Sequence, residues 1–127
     1  MGVYKTRPFS RLARKNGISD SALQAVVREM RAGIIHASLG GNVYKQRVAS
    51  SGRGKRGGSR VIVAANLQDR WIFVHCYSKN EKSDISAAEE NAFREFARIY
   101  LNLSEETIET AVERGILEAL YEDESQK

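Results

Sequence analysis

Three basic residues near the middle of the chain, Lys45, Arg47 and Arg60, have the types and the spacing to hold a phosphodiester. Lys45 and Arg47 are two positions apart in a segment typical of a strand, so both side chains are expected on one face. Arg60 begins the next predicted strand and is expected to lie beside them. Three cations on one face could orient a scissile phosphate and offset the negative charge that grows on its oxygens in the transition state.

The charge of the surrounding segment favours this interpretation over an ordinary solubilising surface. From Arg31 to Arg70 the chain has eight lysines and arginines and a single acidic residue, Asp69. Exposed strands often carry Lys or Arg only to keep an edge soluble, but such surfaces usually mix both signs of charge. A surface that concentrates cations and excludes carboxylates predicts a polyanionic ligand, RNA or DNA.

The segment between the two strands combines glycines with further basic residues. Glycines let backbone amides approach an anion closely, so we expect this loop to contact the ligand. It is not a P-loop, because no Ser or Thr follows Lys55 and no helix is predicted after it. Further along, Lys79 and Lys82 either close the cationic face from its far side or pair with nearby acidic residues. The loop cations are Arg53, Lys55 and Arg56.

His75 and Tyr77 are candidates for proton transfer, because a neutral imidazole is a natural proton carrier near neutral pH. Strict alternation along the strand places His75 and Tyr77 on one face. The same face would carry Trp71 and Phe73, so His75 is either a core-edge residue or part of an active face. We assign no role to His36, the other histidine.

These residues need a small sheet with helices to position them. The apolar periodicity, the Ser caps and the glycine stops predict an α+β fold: an antiparallel sheet of about four strands, with an N-terminal helical hairpin and C-terminal helices packed on one face. Strands are expected over residues 2–5, 43–49, 60–65 and 70–77. One helix is expected from Pro8 in its first turn to a stop at Gly17, and a second from an N-cap at Ser19, Asp20 or Ser21 to Gly33. Two more are expected from the Ser86 capping box to Leu103 and after a Ser104 cap. We interpret residues 1–127 as a single domain, of which residues 122–127 form a flexible acidic tail.

Composition excludes several classes of site. One cysteine, Cys76, excludes an internal disulfide and a cysteine-based metal site, and two histidines far apart in sequence give no metal signature. We therefore expect no cofactor and no metal. The first residues lack the apolar run of a signal peptide, and no segment approaches membrane-spanning length. These features predict a cytoplasmic protein without a membrane partner.

The central third of the chain resembles a known family. The run KQRVASSGRGKRGGSRVIVA, followed by WIFVHCYSKNEKSDIS, resembles the HigB branch of the RelE-like toxins of bacterial type II toxin–antitoxin systems. The resemblance implies a RelE-like fold and a ribosome-dependent mRNA interferase that cuts the codon in the ribosomal A site without metal. In that chemistry the ribose 2′-OH attacks the adjacent phosphate, giving a 2′,3′-cyclic phosphate and a 5′-OH.

The resemblance also implies roles for individual residues. Lys45 and Arg47 match the family's paired strand cations, and Arg60 matches its central catalytic arginine. Lys79 and Lys82 match the basic segment after the last strand. Two positions depart from well-studied members: Asn80 stands in place of an arginine and Ser86 in place of a catalytic tyrosine. The general acid and base are therefore open among four candidates, which are His75, Tyr77, Lys45 and Lys79.

The implied partners are a cognate antitoxin, HigA-like with a helix-turn-helix domain, and the ribosome with its mRNA. DNA would be contacted only indirectly, through the antitoxin. Three alternatives stay open at this point: a ParE-like toxin that targets DNA gyrase, a non-catalytic module that binds RNA or an antitoxin, and a folded protein with a basic surface and no special target.

Overall fold

The computed structural model describes residues 2–50, 58–79 and 85–120, which form six strands and four helices. The strands are β1 (Gly2–Thr6), β2 (Ala37–Gly40), β3 (Val43–Val48), β4 (Ser59–Ala65), β5 (Arg70–Ser78) and β6 (Leu117–Leu120). The helices are α1 (Arg7–Lys15), α2 (Asp20–Arg31), α3 (Ala87–Tyr100) and α4 (Glu105–Glu113). The loop cations Arg53, Lys55 and Arg56, together with Asn80, Lys82 and the acidic tail over residues 122–127, lie outside the described residues.

The strands form one mixed sheet in the order β2-β3-β4-β5-β1-β6. All neighbouring strands are antiparallel except β1 and β5, which are parallel. The α+β class is confirmed, but the expected count of four strands is wrong. Two short edge strands were not predicted, because the Leu-Gly-Gly-Asn run over residues 39–42 is typical of a turn and overlaps the end of β2, and the Leu-Glu-Ala-Leu of β6 favours a helix.

Helices cover both faces of the sheet, so the prediction that they pack on one face is wrong. On one face, α1 and α2 pack against the odd-numbered residues of β4, such as Val61 and Val63. On the other face, α3 packs against the even-numbered Ile62 and Ala64. The sheet is apolar on both sides at its centre for this reason, and β4 is almost continuously buried.

Three of the four helices begin at serines that the sequence suggests as caps. Ser19 and Ser104 cap α2 and α4 through their hydroxyls, and Ser86 forms a complete capping box with Glu89 at the start of α3. Thr6 caps α1, which carries a proline in its first turn. Within the described residues, no helix is long and apolar enough to cross a membrane.

Arg70 fixes the C-terminal helices to the sheet. It begins β5 and is 6% exposed, and its guanidinium donates to the backbone carbonyls of Tyr100 at 3.0 Å and Leu103 at 2.6 Å. A third bond, at 2.7 Å, reaches the carboxylate of Glu105 in the first turn of α4. One buried cation therefore satisfies the end of α3 and orients the start of α4.

A β-bulge interrupts β5 beside β4. Ile62 lies opposite His75, whereas Val63 lies opposite Phe73, so Val74 is the extra residue. The bulge reverses the alternation of β5, and His75 lies on the opposite face from Phe73. The prediction that His75 shares a face with Trp71 and Phe73 is therefore wrong, while its shared face with Tyr77 is confirmed.

Candidate functional site

The basic residues of β3 and β4 meet on the sheet face that α3 partly covers. Arg47 lies directly opposite Arg60, and Arg60 lies directly opposite Tyr77 on β5. These three residues form one row across three neighbouring strands, which spans about 10 Å. The row stands at the end of the sheet where β3 and β5 finish and β4 begins.

A second row lies one step further into the sheet. Lys45 is opposite Ile62, and Ile62 is opposite His75. The imidazole of His75 stacks on the ring of Phe93 in α3, with centroids 5.5 Å apart, and lies 5.9 Å from the ring of Tyr77. The sheet and α3 together therefore hold the two proton-transfer candidates next to each other.

The two rows differ in how much solvent they meet. Arg47 is exposed, Arg60 and Lys45 are half-buried, and His75 is half-buried under α3. Tyr77 is only 7% exposed, because Ile85 and α3 pack over it. We call Lys45, Arg47 and Arg60 the cationic rim. The rim faces solvent, and the aromatic side chains of His75 and Tyr77 are packed more deeply beside it.

The arginines of the rim differ from the arginines that hold the fold together. Arg70, Arg94 and Arg98 each make an ion pair with a carboxylate. Arg47 and Arg60 make none within the described ranges 2–50, 58–79 and 85–120, where Arg60 donates to the backbone carbonyl of Ser59 at 3.4 Å. No described carboxylate therefore neutralises these two guanidiniums.

The direct opposition of Arg47 and Arg60 carries a cost. Opposed side chains on antiparallel strands are close neighbours, and like charges in this position destabilise a sheet. A sheet without a ligand would favour a carboxylate or a neutral residue at one of the two positions. Two opposed arginines are instead suited to sharing one phosphate, whose non-bridging oxygens accept hydrogen bonds from both guanidiniums.

The remaining site candidates lie at the margin. Lys79 is exposed one residue past β5, and its backbone N–H donates to the carbonyl of Gly58 at 3.5 Å, close to the start of β4. Arg53, Lys55, Arg56 and Lys82 lie outside the described residues, so their places in the site stay predictions. Ser86 stands where well-studied family members have a catalytic tyrosine. Its hydroxyl accepts the Glu89 N–H and therefore serves as a helix cap.

His36 is a neighbour of the site that the sequence did not reveal. Its Nδ1 accepts the backbone N–H of Arg47 at 2.9 Å, and its own backbone N–H donates to Gln46 at 2.7 Å. His36 belongs to no recognisable motif, and it precedes β2, a strand that the sequence did not predict. One feature of the sequence hints at these contacts. Gln46 lies on the inward face of a predicted strand, and a buried amide needs polar partners nearby.

Cys76 lies on the opposite face of β5, in the core under α1 and α2. Burial raises the pKa of its thiol to about 12, and a hydrogen bond with the Asn16 side chain lowers the pKa by a smaller amount. The thiol is therefore protonated near neutral pH and cannot serve as a nucleophile in this state. In the part of the chain that the structure describes, no three His, Cys, Asp or Glu side chains gather as a metal site.

The buried thiol leads to a direct prediction. With iodoacetamide at about pH 8, native Cys76 should be alkylated at least about 100-fold more slowly than the same residue in guanidinium chloride, because burial both blocks access and suppresses the thiolate. Mass spectrometry over time measures both rates. Equal rates in the folded and unfolded protein would contradict the buried position.

A comparison with protein-family models adds an independent finding. The model described as the RelE toxin of the RelE / RelB toxin–antitoxin system matches residues 1–120. This match covers every strand and helix described above.

Proposed function

Because the chain belongs to the RelE toxin family of toxin–antitoxin systems, we propose that it is a ribosome-dependent endoribonuclease of the HigB branch. It cuts mRNA in the ribosomal A site and so inhibits translation. The reaction we propose needs no metal and no cofactor. The protein acts in the cytoplasm, where the translating ribosome presents its substrate.

The proposed reaction is an attack by the ribose 2′-oxygen on the adjacent phosphorus. A bond forms between the 2′-oxygen and phosphorus while the bond from phosphorus to the 5′-oxygen breaks, which gives a 2′,3′-cyclic phosphate and a 5′-OH. One proton leaves the 2′-OH and one reaches the 5′-oxygen. Arg47 and Arg60 hold the non-bridging oxygens and stabilise the extra negative charge of the pentavalent state.

The two proton transfers need groups at either end of the phosphate. His75, Tyr77, Lys45 and Lys79 are the candidates, and the first three lie on the same sheet face as Arg60. A lysine could act as a base only if neighbouring cations lowered its pKa. A neutral imidazole needs no such shift, so we favour His75, with Tyr77 beside it.

One observation carries the proposal: Arg47 and Arg60 are directly opposed and lack a carboxylate partner within the described residues. Repulsion between these two arginines is useful only if an anion regularly lies between them. Arg47 is exposed, and the sequence that joins the two strands is also basic. An extended basic surface of this kind fits a nucleic-acid backbone better than a small anion.

The proposed partner is a cognate antitoxin, HigA-like with a helix-turn-helix domain, through which the pair would contact DNA. An acidic or apolar segment of the antitoxin would neutralise the toxin by covering the cationic rim or by blocking entry to the ribosome.

The test is cleavage of a defined mRNA by the purified protein, with and without programmed ribosomes. Fragments are sequenced and their 3′ ends tested for a cyclic phosphate. We expect new 5′ ends at the A-site codon only when ribosomes are present. Intact mRNA together with replication-linked DNA damage after induction would indicate a gyrase toxin, and binding without new ends would indicate a non-catalytic module.

The loop cations should act on affinity more than on chemistry. Replacing Arg53, Lys55 and Arg56 with glutamine is expected to weaken ribosome binding and to reduce the dependence of log affinity on log salt by roughly one unit per lost phosphate contact. Binding at several salt concentrations measures this slope. The matched control replaces three exposed cations of α1, which are Arg7, Arg11 and Arg14. A loop variant that kept its affinity but lost cleavage would contradict this division of roles.

A further inference from the structure

We infer that His36 is a positioning residue for Arg47, a role that rests on the proposed function of the cationic rim. The inference starts from the edge of the sheet. β2 is the outermost strand on this side, and its pairing with β3 begins at Ala37, opposite Lys45. Beyond this point β3 continues through Arg47, and β2 does not accompany it.

The backbone of Arg47 therefore needs another partner. In a regular continuation of the register, Ile35 would lie opposite Arg47 and its carbonyl would accept the Arg47 N–H. The imidazole of His36 takes this place, and its Nδ1 accepts the Arg47 N–H at 2.9 Å. A side chain thus completes the ladder at the residue that carries the exposed guanidinium of the rim.

Gln46 fixes the segment that presents this imidazole. Its side chain is fully buried, its Oε1 accepts the backbone N–H of His36 at 2.7 Å, and its Nε2 donates to the carbonyl of Ile34 at 3.2 Å. The contacts of Gln46 and His36 connect residues 34–36 to two successive residues of β3. The imidazole is therefore held by the fold in the position from which it orients Arg47.

The direction of the Arg47 N–H also sets the spacing of the rim. Because this N–H points away from β4, Arg47 and Arg60 form a non-hydrogen-bonded pair, in which opposed side chains are closest. Gln46 and Val48 hold β3 to β4 on either side, so loss of the His36 contact would loosen only the Arg47 backbone between them and let its guanidinium shift relative to Arg60. Two guanidiniums that share one phosphate are sensitive to such a shift.

The matched variants are His36→Ala, which removes the acceptor, and His36→Asn, whose amide oxygen can take the place of Nδ1. We expect His36→Ala to lower kcat/KM for ribosomal mRNA cleavage roughly five- to tenfold, the loss for about one hydrogen bond. His36→Asn should restore most of this loss. In an Arg47→Ala background, His36→Ala should change kcat/KM by less than about twofold, because the residue it positions is gone.

A second measurement is independent of cleavage. In the ¹⁵N-labelled wild-type protein, a coupling between the Arg47 amide nitrogen and the His36 Nδ1 is expected across the hydrogen bond. If the coupling is present but neither the wild type nor any variant cleaves mRNA, the proposed function is wrong while the His36–Arg47 contact is confirmed. An absent coupling, equal losses in the Ala and Asn variants, or additive effects with Arg47→Ala would each overturn the positioning role.

Discussion

Replacing Arg60 with alanine is expected to lower the rate of ribosome-dependent mRNA cleavage by about 10²- to 10³-fold, the usual effect of removing one preorganised donor to a developing oxyanion. Arg60 is the central member of its row, with Arg47 on one side and Tyr77 on the other. No other described cation lies opposite residues of both β3 and β5 at this point, so within the described residues no side chain replaces its charge. Single-turnover cleavage on programmed ribosomes measures the effect.

Two controls show whether a loss of cleavage in Arg60→Ala comes from the reaction step, from misfolding or from the change in net charge. Arg11 is an exposed arginine on α1, on the far side of the sheet, and Arg11→Ala changes the net charge by the same amount. We expect it to cleave like the wild type. The Arg60→Ala protein should melt at the wild-type temperature or slightly above it, since a like-charge neighbour has been removed. A folded Arg60→Ala protein with wild-type activity would refute the role of Arg60.

Replacing Arg70 with methionine is expected to give the largest loss of stability. The change leaves the partly buried carbonyls of Tyr100 and Leu103 without their donor and detaches Glu105 at the start of α4. We expect a loss of about 2–4 kcal/mol in the free energy of unfolding, or roughly 10 °C in melting temperature. Thermal and urea unfolding followed by circular dichroism measure it.

The partners of Arg70 allow a sharp comparison. The side chain of Glu105 is 70% exposed, so Glu105→Ala should cost much less than Arg70→Met. Arg98→Ala removes an exposed pair with Glu95 on the surface of α3, and no measurable change in melting temperature is expected. If all three variants unfolded alike, the anchoring role of Arg70 would be wrong.

Local sequence patterns were sufficient to predict most helices and strands and the shared face of the central cations. The Ser86 capping box and the apolar periodicity of α2 need no tertiary information, and they are confirmed. Placing Lys45, Arg47 and Arg60 on one face needed only the period of a strand and one antiparallel pairing, which the structure also shows. Their catalytic roles stay a proposal.

The features that the sequence could not supply depend on long-range pairing. The bulge at Val74 leaves no trace in an uninterrupted run of strand-forming residues, yet it decides which face His75 joins. β6 is a strand only because β1 is available to pair with it, against the helix preference of its residues. His36 acquires its contact because β2 stops short of Arg47, and where a strand stops depends on both partners.

If Arg47 and Arg60 act as proposed, their direct opposition makes activity and thermal stability depend on the same two residues in opposite directions. Any substitution that removes the repulsion between Arg47 and Arg60 is expected to stabilise the protein without its ligand, and under the proposed function the same substitution removes a phosphate-binding group. A mutant library of this chain screened for thermal survival alone would therefore enrich sequences that have discarded one of the two guanidiniums. Only a screen that also requires ligand binding or cleavage would retain both arginines.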